Sequence, residues 1–212
     1  KSKKFKYFAV AADGSAASGK TTGAKIISKK YGLKFLSSGL LYRYASYLIL
    51  KYEPRNKIKF LNSKFKSLKI EKLKNINLHS SQISEHTSII AKEKKVRQIL
   101  KLFQKKFSKK NKKICIEGRD IASKILSKNP KYDLAFYFKC NLQISSYRRW
   151  LDIKKIVPLR DVKRSLKLRT LMDKKRKNSP LIKVKDAILI RTDKLNKKQV
   201  LNKMSHFIEK LT

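Results

Sequence analysis

The stretch ADGSAASGKTT, residues 12–22, runs through Gly14, four small residues (Ser15, Ala16, Ala17, Ser18), Gly19, Lys20, Thr21 and Thr22, in a chain with only six glycines among 212 residues. Before it lies KYFAVAAD (6–13), apolar and short, as a buried strand is. After it, TTGAKIISKKYG sets Ile26, Ile27 and Tyr31 at helical spacing and stops at Gly32. A strand, a loop reading G-x-x-x-x-G-K-[ST] and a helix together form the context in which main chain wraps phosphate. Gly14 and Gly19 permit backbone angles that other residues avoid and leave room for phosphate oxygens. The loop N–H groups and the helix N-terminus present positive partial charge. Lys20 is expected at the β- and γ-phosphates of a nucleoside triphosphate. Thr21, with Thr22 as a neighbouring candidate, is expected to offer a hydroxyl to Mg²⁺.

Four further strands follow: LKFL (33–36), KICIEG (113–118), YDLAFYFKC (132–140) and DAILIRT (186–192). Helices are expected over 37–52 (capped by Ser37 or Ser38 and ended by Pro54), 86–107, a short piece in RDIASKILSK, 141–153, 158–176 and 196–210. Residues 55–80 are lysine- and asparagine-rich with weak periodicity and read as a small mobile insert. Five strands, each followed by helix, imply an α/β fold: a parallel five-stranded sheet covered on both faces in three layers. At this length the chain reads as one domain, 1–212, with a lid over about 155–180.

Hydrophobic residues make up 41% of the chain, enough for a core, and no run of ~18 apolar residues suggests a membrane span. The basic-then-apolar opening reads as a first strand, its apolar part being too short for a secretion signal. Cys115 and Cys140 are expected as two buried thiols in a reducing cytoplasm, and His79, His86 and His206 have no metal-ligand spacing. The net charge of +42 predicts attraction to polyanions. The lysines are spread along the chain, with only short clusters such as KKFSKKNKK (105–113) and no aromatic-interleaved RNA motif. The alternatives are a solvated lysine surface and a nucleic-acid face; substrates with several phosphates suit either.

Only 11 of the 56 basic residues are arginine. A planar guanidinium grips phosphate or a base edge with a geometry that lysine lacks, so its positions are informative: Arg43 in SSGLLYR, Arg97 in KKVR, Arg119 in EGRD, Arg148 and Arg149 in SSYRRW, Arg169 and Arg176 in RTLMDKKRKNSPL. In these stretches the chain resembles the bacterial cytidylate kinases, small nucleoside monophosphate kinases. DGSAASGKTT resembles their donor loop, LSSGLLYR their D-S-G-x-x-Y-R, IEGRDIAS their [DE]-G-R-D-x-G-T, and RTLMDKKRKNSPL their lid motif R-x-x-x-D-x-x-R-x-x-x-P-L, in that order and over nearly the whole length.

The resemblance implies ATP and Mg²⁺ as cofactors and transfer of a phosphoryl group to CMP or dCMP. It places Ser88, Arg97 and Asp120 on the cytosine edge, where Asp120 would accept from the exocyclic amine that uracil lacks. It places Ser38, Arg169 and Asp173 at the sugar, and Arg43, Arg119 and Arg176 around the acceptor phosphate and the transferring group. Lys20, Arg119, Arg169 and Arg176 would be catalytic, with Glu117 organising the Mg²⁺ shell beside Thr21. The chain departs from the pattern at Ser37, where Asp is usual, and at IAS (121–123), so that turn must be built differently. A monomer in the cytoplasm, with no specific nucleic-acid partner and no membrane contact, is expected. The rivals are another small kinase of this loop class, for UMP, shikimate or dephospho-coenzyme A, and a nucleotide-regulated RNA-binding protein.

Overall fold

A computed structural model of the chain describes residues 7–211. In chain order its elements are β1 (Phe8–Gly14), α1 (Lys20–Tyr31), β2 (Lys34–Ser37), α2 (Ser38–Tyr52), α3 (Lys57–Lys66), a tight turn of helix (Ile70–Asn75), α4 (Ser81–Ile90) and α5 (Lys94–Lys110). Then come β3 (Lys113–Gly118), a wide helical turn (Ile121–Ile125), β4 (Leu134–Lys139), α6 (Leu142–Asp152), α7 (Leu159–Lys175), β5 (Ile188–Arg191) and α8 (Lys197–Glu209). The chain divides into two compact units: the described residues up to Phe35 with those from Asn111 onward, and Leu36–Lys110.

In the first unit the strands form one sheet of order β2-β3-β1-β4-β5. β1 pairs in parallel with β3 on one side (Asp13 opposite Gly118) and β4 on the other (Gly14 opposite Phe138), and β5 continues beyond β4. The central position explains why all seven residues of β1 are buried: a strand covered on both faces has no polar side. Phe8, Val10 and Ala12 pack with Ala24 and Ile27 of α1, Phe136 and Phe138 of β4, and Val200, Met204 and Ile208 of α8. From β1 the chain heads toward one edge of the sheet and from β3 toward the other, so their exit loops diverge at the carboxyl ends, where open α/β sheets bind ligands. The expected parallel α/β sheet is therefore present.

Local signals account for the element ends. Gly32 takes a left-handed turn (φ 63°) as α1 stops, and the Leu33 N–H returns to the Ser28 carbonyl at 2.9 Å. Ser37 caps α2 by accepting from the Leu40 N–H at 3.2 Å. Asn196 and Gln199 close a reciprocal capping box on α8.

The second unit differs from expectation in two places. Residues 55–80 fold rather than forming a mobile insert: Leu61 and Phe65 of α3, then Leu73 and Leu78, are buried. Phe65 meets Phe103 of α5 and Tyr44 of α2 edge-on, with ring centroids 5.6 and 5.8 Å apart. The apolar stripe is narrow and flanked by lysine, which hides its period in the sequence. The helix expected over 86–107 is two: α4 begins at Ser81 under a Ser80 cap, and the helical run breaks at residues 91–93 before α5. The cysteines also differ from expectation. Cys115 is buried, and burial pushes its thiol up to about 12, but Cys140 is only half-buried.

Gly14 is fixed by close approach. A Cβ there would stand 2.5 Å from the Phe138 carbonyl oxygen and 2.9 Å from Phe138 Cβ. Gly14→Ala is expected to destabilise the protein by about 1–3 kcal/mol through overpacking, read as a lowered midpoint in thermal unfolding.

Candidate active site

The loop between β1 and α1 is held from three directions. Gly19 sits at φ 79° and Ala17 at φ 53°, both left-handed, which turns the main chain tightly ahead of α1. Thr192, just past β5, wedges against the loop: its hydroxyl donates to the Ser18 carbonyl at 2.9 Å, and a Cβ on Gly19 would meet its methyl at 3.1 Å. Thr192 is itself pinned, its N–H donating to the Lys139 carbonyl and its carbonyl accepting from Arg148 at 2.9 Å. Lys20 is folded back into the loop, where its Nζ donates to the Ser15 carbonyl at 3.2 Å and lies 3.9 Å from Glu117 Oε2. Burial, reinforced by the charge of Arg119, pulls the Lys20 ammonium down to about 7. A cluster of phosphate oxygens in the loop would restore its charge. Thr21 is half-buried and Thr22 exposed at the head of α1.

Beside the loop, two carboxylates hold the segment that follows β3. Asp13, the penultimate residue of β1, accepts from the N–H groups of Ile121 at 2.9 Å and Ala122 at 2.8 Å. Burial raises its carboxyl to about 7 despite those two hydrogen bonds. Asp173 of α7 accepts from Arg119 Nε at 2.6 Å through one oxygen and from Arg176 through the other. Burial alone would raise the Asp173 carboxyl, but Arg119 and Arg176, with Arg169 adding its charge, hold it below the ordinary carboxylate range. Among the described residues the buried charged side chains are Asp13, Lys20, Glu117 and Asp173. Asp13 and Glu117 stand near the carboxyl ends of β1 and β3, Lys20 begins α1, and Asp173 lies on α7. Burying charge is costly, so its concentration here marks a site rather than a core.

The second unit carries its own cluster. Arg43 of α2 donates to the Leu78 carbonyl at 3.0 Å and to Ser84 Oγ at 2.8 Å. Ser88, one turn further along α4, donates to the Ser84 carbonyl at 3.3 Å. Arg97 donates to the Ala91 carbonyl at 3.2 Å and lies over the Tyr42 ring, 5.9 Å from its centroid. The break at residues 91–93 thus sets Arg97 on a separate helix from Ser88. Ser38 is buried at the start of α2.

The family model of the cytidylate kinases matches residues 10–210. The chain belongs to the cytidylate kinase family. It is 31% identical over 209 residues to the cytidylate kinase of Rickettsia akari (strain Hartford), covering 96% of this chain and 93% of that protein. It is 34% identical over 224 residues to the cytidylate kinase of Fusobacterium nucleatum, covering 95% and 97%. An uncharacterised protein of Eubacterium ventriosum shares the fold at a TM-score of 0.58 and 16% identity, over 97% of this chain and 99% of that one. Membership makes the chain a nucleotide-binding transferase, a nucleoside monophosphate kinase. Among the described residues no helix is long and apolar enough to cross a membrane.

Of the residues the cytidylate kinase pattern singles out, the first unit brings together the loop residues 14–22 with Glu117, Arg119, Asp120, Arg169, Asp173 and Arg176. Ser38, Arg43, Ser88 and Arg97 belong to the second. The residues that sequence reasoning missed are among those that hold the others: Asp13, Thr192 and Ser84; Arg148, singled out as an arginine, proves to hold Thr192. Only Asp13 carried a signal, a carboxylate at the apolar end of a strand. No group of three or more His, Cys, Asp or Glu among the described residues forms a metal cage. The donor set on offer, the Thr21 hydroxyl and the buried Glu117 carboxylate, fits Mg²⁺. That ion keeps several waters and is held by one or two protein oxygens together with substrate phosphates.

Asp173→Asn is expected to cost about 2 kcal/mol, because two guanidinium groups lose their shared carboxylate. A carboxyl lowered on folding contributes stability that is fully present above its unfolded value, about 4, and is lost as pH falls through its folded value. The gap in urea stability between wild type and variant should therefore be constant above about pH 5 and close on the acid side.

Proposed function

We propose that the chain transfers the γ-phosphoryl group of ATP, in line, to the phosphate of CMP and of dCMP. The observation that carries this reading is the convergence of buried Lys20 with Arg119, Arg169 and Arg176 beside a glycine loop. Arg119 and Arg169 both bear on the charge of Lys20, and Arg119 and Arg176 share Asp173. The acceptor phosphate is already an anion and needs no strong base, so the protein's work is to position two polyanions and to neutralise charge as it shifts.

In this mechanism the N–H groups of the loop 14–19 and the start of α1 grip the β- and γ-phosphates, and Lys20 follows the migrating charge. Thr21 and Glu117 would hold Mg²⁺, which supplies charge neutralisation between the phosphates when bound. Arg119 and Arg176 address the transferring group and the acceptor phosphate, with Arg43 on the acceptor side. Ser38, Arg169 and Asp173 serve the sugar. Ser88, Arg97 and Asp120 read the cytosine edge, Asp120 accepting from the amine. Helix α7, which carries Arg169, Asp173 and Arg176, acts as the lid that keeps water from the γ-phosphate. The reading has the chain act as a cytoplasmic monomer on free nucleotides, with attraction to nucleic acid a by-product of surface charge.

An acceptor panel of CMP, dCMP, UMP, shikimate and dephospho-coenzyme A, run with ATP and Mg²⁺ and followed by ADP release, tests this directly. CMP and dCMP should be the preferred acceptors; preference for any other member would overturn the reading. Lys20→Met should lower kcat by about two orders of magnitude or more with the fold intact by circular dichroism. Asp120→Ala should lower the CMP-over-UMP ratio of kcat/KM by roughly tenfold or more, since an unmatched amine replaces a paired one.

A further inference from the structure

The turn that follows Arg119 and Asp120 is capped in an unusual way. Asp120 occupies the N-cap position of the helical turn 121–125, and its carbonyl accepts from Lys124 at 2.9 Å. An aspartate in that position ordinarily turns its carboxylate back onto the first N–H groups of the helix. Here the Asp120 side chain makes no such bond. Asp13, 108 residues earlier in the chain, does so instead, one carboxylate oxygen on the Ile121 N–H and the other on the Ala122 N–H. Ile121 and Ala122 are themselves buried, which anchors the turn from below. Asp13 sits directly before Gly14, at the root of the phosphate loop. One carboxylate therefore fixes the turn carrying Arg119 and Asp120 to the strand that launches the donor loop, and the Asp120 side chain takes no part in the cap.

We propose that Asp13 is a positioning residue for acceptor selectivity: by capping the 121–125 turn in place of Asp120, it aims the Asp120 carboxylate, and with it Arg119, at the acceptor nucleotide. The inference rests on the kinase reading above. An amide at position 13 has a single acceptor oxygen and must set an N–H donor against one of the two N–H groups. The turn would then recruit Asp120 as its own cap, rotating the carboxylate away from a base amine. A short loop-to-strand span such as this tolerates little misplacement before rate and recognition suffer.

The test is steady-state kinetics of Asp13→Asn with CMP and UMP, alongside ATP affinity by calorimetry. The expected result is a rise in KM for CMP and a fall in the CMP-over-UMP ratio of kcat/KM, each about tenfold, with ATP affinity within about twofold of wild type. Asp13→Asn combined with Asp120→Ala should then lower the ratio no further than Asp120→Ala alone, because both changes remove the same contact. An unchanged ratio in Asp13→Asn, or a loss of ATP affinity as large as the loss for CMP, would overturn the proposal, the second by reducing Asp13 to a support of the donor loop. Should the variant fail to fold, hydrogen exchange of the Ile121 and Ala122 amides in the wild type decides: slow exchange supports the cap, and exchange at the rate of exposed amides overturns it. A wild type with no CMP-dependent turnover would sink the kinase reading and this proposal together. An active wild type with an indifferent Asp13→Asn sinks the proposal alone.

Discussion

Charge taken out of water is the constraint on which this structure turns. A carboxylate or ammonium withdrawn from solvent demands hydrogen bonds or an opposite charge nearby, and the first unit meets that demand three times. Asp13 is answered by two backbone N–H groups, Lys20 by the Ser15 carbonyl and, more distantly, Glu117, and Asp173 by two guanidinium groups. The sheet makes this possible. Parallel strands end together at their carboxyl edge, and the small residues of the loop let β1 and α1 meet there with space for a ligand's oxygens.

The arrangement also shows how a segment that departs from the family pattern is held. After the arginine–aspartate pair, Ala122 and Ser123 stand in place of the glycine-threonine ending of the family pattern. The turn does not depend on its own polar side chains for its cap. Its first N–H groups belong to Asp13, and its apolar residues sink into the core. A turn secured by a neighbouring strand can change its own sequence at small cost. The same logic applies across the loop, where Thr192 braces Ser18 from 174 residues away in sequence.

Much of the fold was legible because its signals are local. The strand–loop–helix around Gly14, the stop at Gly32, the Ser37 cap and the five apolar runs all depend on residues within a few positions of one another. The donor loop was legible for the same reason. Three features were not. The helices in 55–80 bury a stripe too narrow to show through the lysines, with Leu61 buried and Phe65 set against Phe103, distant in sequence. The break at 91–93 falls in a run with helical composition, and no glycine or proline marks it. Asp13 meets Ile121, Asp173 meets Arg119 and Ser18 meets Thr192 across 108, 54 and 174 residues, so no spacing rule could name those pairs. At the site the motifs singled out the residues proposed to face a ligand, whereas most of the residues that hold them in place emerged only from three dimensions.

The acidic residues have one more consequence. Three of the 14 in the chain are buried at the site, so the lysine-covered exterior has few counter-charges of its own. Such an exterior works against its own compactness through mutual repulsion while drawing small anions toward it from a distance. Dissolved electrolyte damps both effects over the same range, about 8 Å at physiological strength. The medium that relaxes the folded chain is thus the one that slows the arrival of its polyphosphate ligands, and the protein's tolerance and its capture rate are set against each other by the salt around it.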